Sequence, residues 1–216
     1  ASFIADMTDL NKACERPRFQ FKLPSLETLA SLLRQTGGMR SSLWMTKLDV
    51  SNHFWTCRMP AKYANSVRIG VCGKVFALPS LPFGWTHSPI MAQRLLGETL
   101  SKMYPNEVII IQYVDDILLF GLGKDAVGAA TQLLVRLMEE DNWVVSPKSI
   151  TEPTQKMSWM GKELDIIQGS IAATPLSVAG VFMLFARLAS KGYRRNWIER
   201  LIGKLHWLAR PAKGGL

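Results

Sequence analysis

Residues Val108–Gly121 read VIIIQYVDDILLFG, two branched apolar stretches with the adjacent carboxylates Asp115 and Asp116 between them. No other segment constrains the fold as tightly. β-Branched residues on both flanks suit two paired strands, and a tip near Val114–Asp116 would close them into a hairpin. Neighbouring side chains on a regular strand point to opposite faces, so the two Asp residues can share a site only if the turn re-aims one of them. Asp also favours turns, where water solvates its charge, and this ordinary reading suffices for the pair taken alone.

A third carboxylate adds weight to a functional reading. Asp49 ends the strand-like LWMTKLD and is followed by VSNHF, so it too lies just past an apolar run. Three converging Asp side chains repel one another unless cations are present. Magnesium resolves the conflict because it takes hard oxygen ligands, usually one or two carboxylates with phosphate oxygens and water. Two such ions roughly 4 Å apart can activate an oxygen nucleophile and stabilise the leaving oxygen of an in-line phosphoryl displacement.

The remainder of the chain supplies a core around such a site. With 216 residues, 48% of them hydrophobic, it can form one sizeable domain, or one domain with a small appendage. Helices are expected over Leu26–Arg34, from the Ser88–Pro89 start through Met103, and over Lys124–Asp141. Strands are expected over Leu43–Val50, over Ser66–Leu78 with a turn at Cys72–Gly73, and as short pieces at Trp143–Val145 and Met157–Leu164. This alternation indicates an α+β sheet with helices on one face. The end of the chain differs in kind. Val178–Pro211 reads as a helical hairpin whose first helix ends at Gly192 and whose second is capped by Asn196, with Glu199 three residues on.

Charge bounds the partners. The 26 Lys and Arg against 17 Asp and Glu leave +9, which points to a polyanion such as nucleic acid or an anionic membrane surface, or simply to a basic exterior. Val181–Leu216 carries most of this excess, with Arg187, Lys191, Arg194, Arg195, Arg200, Lys204, Arg210 and Lys213 against Glu199. Cys14, Cys57 and Cys72 are odd in number and far apart, which disfavours disulfide and zinc readings and suggests a reducing compartment. No apolar run approaches the length of a bilayer, and the N-terminus lacks the pattern of a secretory signal. The first residue is Ala, so the chain is expected to be a fragment.

Taken in order, these segments resemble the reverse transcriptases (RNA-directed DNA polymerases) of retroviruses and related LTR- or DIRS-like retroelements. DMTDLN, with Asp6, Leu10 and Asn11, resembles the family's fingers strand, and LDVSNHF its first catalytic Asp. LPFGWTHSP resembles the loop and helix under the template, and YVDD the catalytic pair. WMG at Trp159–Gly161 resembles the primer grip, and LIGKLHW at Leu201–Trp207 the thumb. Six signals in one order weigh far more than YVDD alone.

The resemblance implies a right-hand polymerase fold: partial fingers over 1–42, a palm over 43–168 with a fingers insertion at about 60–85, and the start of a helical thumb over 169–216. It implies that Asp49, Asp115 and Asp116 are catalytic and hold two Mg2+ ions, replaceable by Mn2+, with Asp116 the more peripheral. Phe54, Gln93 and Val50 would line the nucleotide pocket, with Phe54 excluding a ribose 2′-hydroxyl. Gly84, Tyr113, Trp159, Met160, Gly161, Gly203, Lys204 and Trp207 would meet template or primer. The implied partners are an RNA or DNA template with its primer and deoxynucleoside triphosphates, not a membrane. A ribonuclease H domain would lie outside this chain, and the setting would be intracellular, in a cytoplasmic particle or the nucleus, not secreted.

On the last helix Arg200, Gly203, Lys204 and Trp207 recur at helical spacing and share one face. Such a face suits the wide, shallow minor groove of an RNA-containing duplex, though a solvated basic face with a half-buried Trp has the same pattern. Some residues depart from the family pattern. Ser2 stands where an Arg is usual for holding triphosphate, and His53 replaces a small residue beside Phe54, which predicts a crowded or shifted pocket. Lys148 fits either a pyrophosphate-protonating lysine or a surface loop lysine. Two further readings stay open: a non-catalytic nucleic-acid-binding relic of such an enzyme, and a polymerase making RNA on the same fold, against which Phe54 argues.

Overall fold

The computed structural model describes residues 6–15, 23–24, 26–35, 37–60, 64, 67–103 and 108–209. Ser2, Ser66, Arg210, Pro211 and Lys213 lie outside the described residues. The sheet at the centre has the order β4-β5-β1-β6, with β1 Leu43–Asp49, β4 Val108–Tyr113, β5 Asp116–Leu122 and β6 Ile150–Thr154. Every pairing in it is antiparallel. Alternation along the strands gives the sheet two apolar faces, and each is covered.

One face carries Leu48, Ile117 and Leu119. They pack with Ala92 and Leu96 of α4 (Ser88–Ser101) and with Val127, Leu134 and Met138 of α5 (Lys124–Glu140). A buried hydroxyl pair, Thr46 Oγ1 to Thr131 Oγ1 at 2.6 Å, ties β1 to α5, and Thr131 passes its own proton to the Val127 carbonyl. The other face carries Met45, Leu118 and Phe120. It is covered by Leu29 and Leu33 of α2 (Leu26–Gln35) and by Met157, Trp159 and Leu164 of a three-stranded sheet. That sheet consists of β7 Lys156–Trp159, β8 Lys162–Asp165 and β9 Ser170–Ala173. Short elements complete this part: α1 Thr8–Ala13, α3 His53–Thr56, and an isolated ribbon of β2 Arg68–Val71 with β3 Lys74–Ala77.

Two long helices close the chain, α6 Pro175–Lys191 and α7 Arg195–Ala209. Val181, Leu188 and Leu201 are buried between them, with Leu184, Trp197 and Leu208 alongside. Thr174 caps α6 by accepting the Ser177 N–H at 3.2 Å, and Ser177 Oγ donates to the Gly161 carbonyl at 3.2 Å, which fastens α6 to the β7–β8 turn. Among the described residues no helix is long and apolar enough to cross a membrane.

The mixed α+β class expected from the sequence is the one found, but several local boundaries differ. Helix α4 begins on Ser88, with His87 preceding it, because the Ser88 hydroxyl donates to the Pro82 carbonyl at 2.7 Å instead of capping the helix. Asn196 lies inside α7, whose first carbonyl acceptor is Arg194. Trp143–Val145 forms no strand and contributes only an isolated bridge, Val50 to Val145. The single strand expected over Met157–Leu164 is a hairpin, turned at Met160 and Gly161 with both φ angles positive, as a tight two-residue connection requires. Strand β6 has no counterpart in the sequence reading.

Candidate functional site

The β4–β5 hairpin turns through Val114 and Asp115, and Tyr113 faces Asp116 across it. Val114 has φ +56, a conformation that opposes a β-branched side chain and is retained only where surroundings over-determine it. Two bonds do so. The Val114 N–H donates to Gln93 Oε1 at 2.8 Å, and the Asp115 carbonyl accepts the Val50 N–H at 3.0 Å. Gln93 and Gln112 reinforce this link, since Gln112 Nε2 donates to the Gln93 carbonyl at 3.0 Å. The turn thereby re-aims Asp115 relative to its neighbour.

Asp49 and Asp116 are direct partners across the β1–β5 ladder, a like-charge pairing that is unfavourable by itself. Asp49 is fixed by its backbone: its N–H donates to Ser149 Oγ at 3.0 Å and its carbonyl accepts the Ser146 N–H at 2.7 Å. Lys47 Nζ stands 2.8 Å from Asp116 Oδ1. Burial raises the Asp115 pKa above the usual carboxylate range, the neighbouring Asp116 and Asp49 charges raise it further, and Lys47 opposes the shift. Asp115 thus senses the charges of both neighbouring carboxylates.

The donor set suits a hard divalent cation. It holds oxygen ligands only and carries excess negative charge, since Lys47, against the buried Asp116 Oδ1, offsets one of the three carboxylates. Among the described residues no three acidic, His or Cys side chains already enclose a metal position, so phosphate oxygens and water would have to complete any coordination shell.

The structure distributes the other sequence-derived candidates unevenly. Phe54 sits in the first turn after β1, half-buried, with its ring edge-on to Phe83 at 4.8 Å between centroids. His53 turns inward against Trp143, 5.3 Å between ring centroids, and burial pushes its pKa down to about 4, so it is neutral at pH 7. Its ring also lies against that of Phe54, 5.7 Å between centroids. The Val50 side chain is buried in the core, leaving only its backbone near the carboxylates. Gln93 supports the hairpin turn through the bonds above, a role the sequence did not disclose. Gly84 has φ +87 in an exposed turn, and its carbonyl accepts Asn11 Nδ2 at 2.8 Å while Thr86 N–H donates to Asn11 Oδ1 at 2.9 Å. The DMTDLN segment thus grips the PFGW turn. Lys148 is exposed in a loop.

Trp159 is fully buried, so its indole belongs to the core beneath the sheet; Tyr113 and Met160 are partly buried beside it, and Gly161 is exposed. The Gly161 turn, Ser177 and Trp207 meet: a Cβ on Gly161 would lie 3.6 Å from both Ser177 Oγ and Trp207 Nε1. Lys162 is buried with its ammonium on the Leu208 carbonyl at 3.1 Å and 5.7 Å from the Trp207 ring centroid. Burial lowers the pKa of this lysine. Between α6 and α7 runs a groove of about 1040 Å³ lined by Gly180, Arg187, Arg200, Gly203, Lys204 and Trp207. Gly203 and Lys204 are exposed there, and the absent side chain of Gly180 leaves room for the Lys204 ammonium. Arg187 and Arg194 each stand 5.3 Å from the Trp197 ring centroid, which concentrates positive charge at the far end of the hairpin.

The Gln93 contacts yield a test. Gln93→Ala removes the acceptor of the Val114 N–H and is expected to destabilise the protein by about 1 kcal/mol. Urea unfolding measures that loss, and faster amide exchange at Val114 would report where it arises.

Residues 3–164 match the family described as reverse transcriptase (RNA-dependent DNA polymerase). The Gag-Pol polyprotein of Rous sarcoma virus subgroup B (strain Schmidt-Ruppin) is 30% identical over 139 residues, covering 62% of this chain and 8% of the polyprotein. Polyprotein P3 of Commelina yellow mottle virus is 23% identical over 145 residues, covering 67% of this chain and 7% of that one. The chain therefore spans less than a tenth of the length of these two relatives. In structure, it resembles the foamy viral protease-reverse transcriptase dRH solved in complex with double-stranded DNA, with TM-score 0.70, 18% identity, and coverage of 96% of this chain and 33% of that one. The foamy viral protease-reverse transcriptase bound to an RNA/DNA hybrid matches at TM-score 0.69 and 18% identity, over 95% of this chain and 25% of that one. Matched over most of its length, the chain belongs to the reverse transcriptase family, whose members are RNA-dependent DNA polymerases and hence nucleotidyltransferases.

Proposed function

We propose that this chain is the polymerase core of a retroelement reverse transcriptase, adding deoxynucleotides to a primer on an RNA or DNA template inside the cell. The observation that carries this reading is the placement of Asp49, Asp115 and Asp116 at the adjoining ends of β1, β4 and β5, held by backbone bonds that fix each carboxylate's origin. In this reading residues 1–42 belong to the fingers, 43–168 to the palm, and 169–216 to the start of the thumb.

Asp49 and Asp115 would hold the divalent ions, Mg2+ or Mn2+, with Asp116 at the periphery. When bound, the ions lower the barrier for attack of a primer 3′-hydroxyl on the α-phosphate and stabilise the departing pyrophosphate. The protein's own share is positioning. Rigid strand ends fix the carboxylates, and the Gln93 bond keeps the Val114–Asp115 turn from relaxing. Phe54, braced against Phe83, forms a wall beside the sugar position and excludes a 2′-hydroxyl by size. The exposed Gly161 turn, with Gly203, Lys204 and Trp207, would receive the primer-bearing duplex, and the Arg and Lys side chains of the groove would meet its phosphates. In the foamy viral complexes the bound duplexes are double-stranded DNA and an RNA/DNA hybrid, which are the ligand classes this groove is proposed to take.

Primer extension on an RNA template tests the function. Extension with deoxynucleotides that requires magnesium is expected; duplex binding without any extension, whatever the divalent ion, would favour the non-catalytic relic. Phe54→Ala is expected to lower the preference for deoxy- over ribonucleotides by about 10- to 100-fold. Unchanged ribonucleotide exclusion in single-nucleotide incorporation would remove Phe54 from the pocket wall.

A further inference from the structure

Lys47 and Asp49 are two residues apart on β1, so their side chains leave the same face. Asp116 stands opposite Asp49, which makes Lys47 its diagonal neighbour across the ladder. The ammonium uses that position, 2.8 Å from Asp116 Oδ1, with the two side chains only 19% and 22% exposed. The carboxylate oxygen it contacts is buried and makes no aligned hydrogen bond. Asp116 therefore already has a cation at its buried oxygen, supplied by the chain itself.

This changes the charge balance of the cluster. Fully ionised, Asp49, Asp115 and Asp116 with Lys47 carry the complement of one divalent ion, not of two. We propose that Lys47 is the residue that limits the carboxylate cluster to a single divalent ion until the negatively charged triphosphate arrives with a second. The proposal rests on reading the three Asp residues as the metal-binding cluster. Lys47 acts here as a positioning residue: its ammonium touches Asp116 and not the ions themselves. Its ammonium also repels a second dication directly, because both charges lie in a partly desolvated environment where Coulomb forces are weakly screened.

The test is Mn2+ binding to the full chain without nucleotide or nucleic acid, followed by the electron paramagnetic resonance of free Mn2+. The wild type is expected to bind one ion at this site. Lys47→Met is expected to bind two, the first about tenfold more tightly, and Lys47→Gln serves equally if Met disturbs the fold. Lys47→Arg keeps the charge and should behave as wild type. In Lys47→Met with Asp116→Asn one neutral pair replaces one ion pair, so the double variant should return to a single ion within about threefold of wild-type affinity. A folded Lys47→Met or Lys47→Gln protein that still binds one ion, no more tightly than wild type, overturns the proposal. Asp115→Asn separates this from failure of the underlying reading. If that variant binds Mn2+ as wild type does, the cluster is not the metal site at all; if binding is lost while Lys47→Met and Lys47→Gln change nothing, only the role of Lys47 falls.

Discussion

Asp115→Asn is expected to reduce nucleotide addition by at least about 1000-fold, the scale of losing a preorganised electrostatic partner of the reacting phosphate, while leaving the protein as stable as before or more so. The two effects have one origin. Burial and the charges of Asp116 and Asp49 raise the folded-state pKa of Asp115, so its ionisation opposes folding. A raised carboxylate pKa means the folded state binds the proton more tightly than the unfolded chain. The resulting stability is present at low pH and lost as pH rises through the folded-state value. Asparagine has no proton to lose, so the variant should not show this decline between acidic and neutral pH. Thermal unfolding at several pH values measures it. A large stability loss at neutral pH would instead identify Asp115 as a structural turn residue.

Trp159→Ala is the second large effect, this time on stability. The indole is fully buried between the sheet and the β7–β8 hairpin, so truncation is expected to destabilise by about 3–5 kcal/mol. For a chain of this length, this lowers Tm by about 10 °C. The same side chain underlies the turn that touches Ser177 and Trp207, so loosening of α6 and α7 should accompany the loss. Trp159→Phe provides the contrast. The Trp159 Nε1 is buried without a hydrogen-bond partner, so phenylalanine removes an unsatisfied donor along with some volume, and a much smaller loss is expected. Calorimetry of both variants distinguishes a core residue from one that contacts the primer with its side chain.

The difference between legible and illegible features follows from the range of the forces involved. The β4–β5 hairpin was legible because both flanks are apolar, the first of them β-branched throughout, and two carboxylates mark the tip, which are local signals. Asp49 was legible because a carboxylate follows directly on an apolar strand. Strand β6, ITEPT, was not: Pro153 and three polar residues suppress its strand pattern, and it forms as an edge strand paired to β1 on one side only. The start of α4 shifted because the Ser88 hydroxyl found a carbonyl six residues back, a tertiary choice invisible to capping rules.

Long-range pairings account for the rest. Two-residue spacing places Lys47 beside Asp49 on paper, yet only the β1–β5 register brings it to Asp116. Lys162 reads as a surface lysine in a short strand. It is buried because α7 returns its C-terminal turn to the hairpin and offers the Leu208 carbonyl to the ammonium. Gln93 matched a residue expected near the nucleotide, but its amide faces the backbone of the carboxylate turn. Its nearness to the site was legible, whereas the contact itself depends on how α4 lies against β4.

Asp49, Asp115 and Asp116 are proposed to form the centre at which nucleotides are joined to a primer. Single-turnover addition of one deoxynucleotide to a primer on an RNA template, with wild type and Asp115→Asn compared at saturating magnesium, tests it most directly. Rapid addition by the wild type is expected, with none detectable by the variant on the same timescale. Equal rates from the two proteins would contradict it.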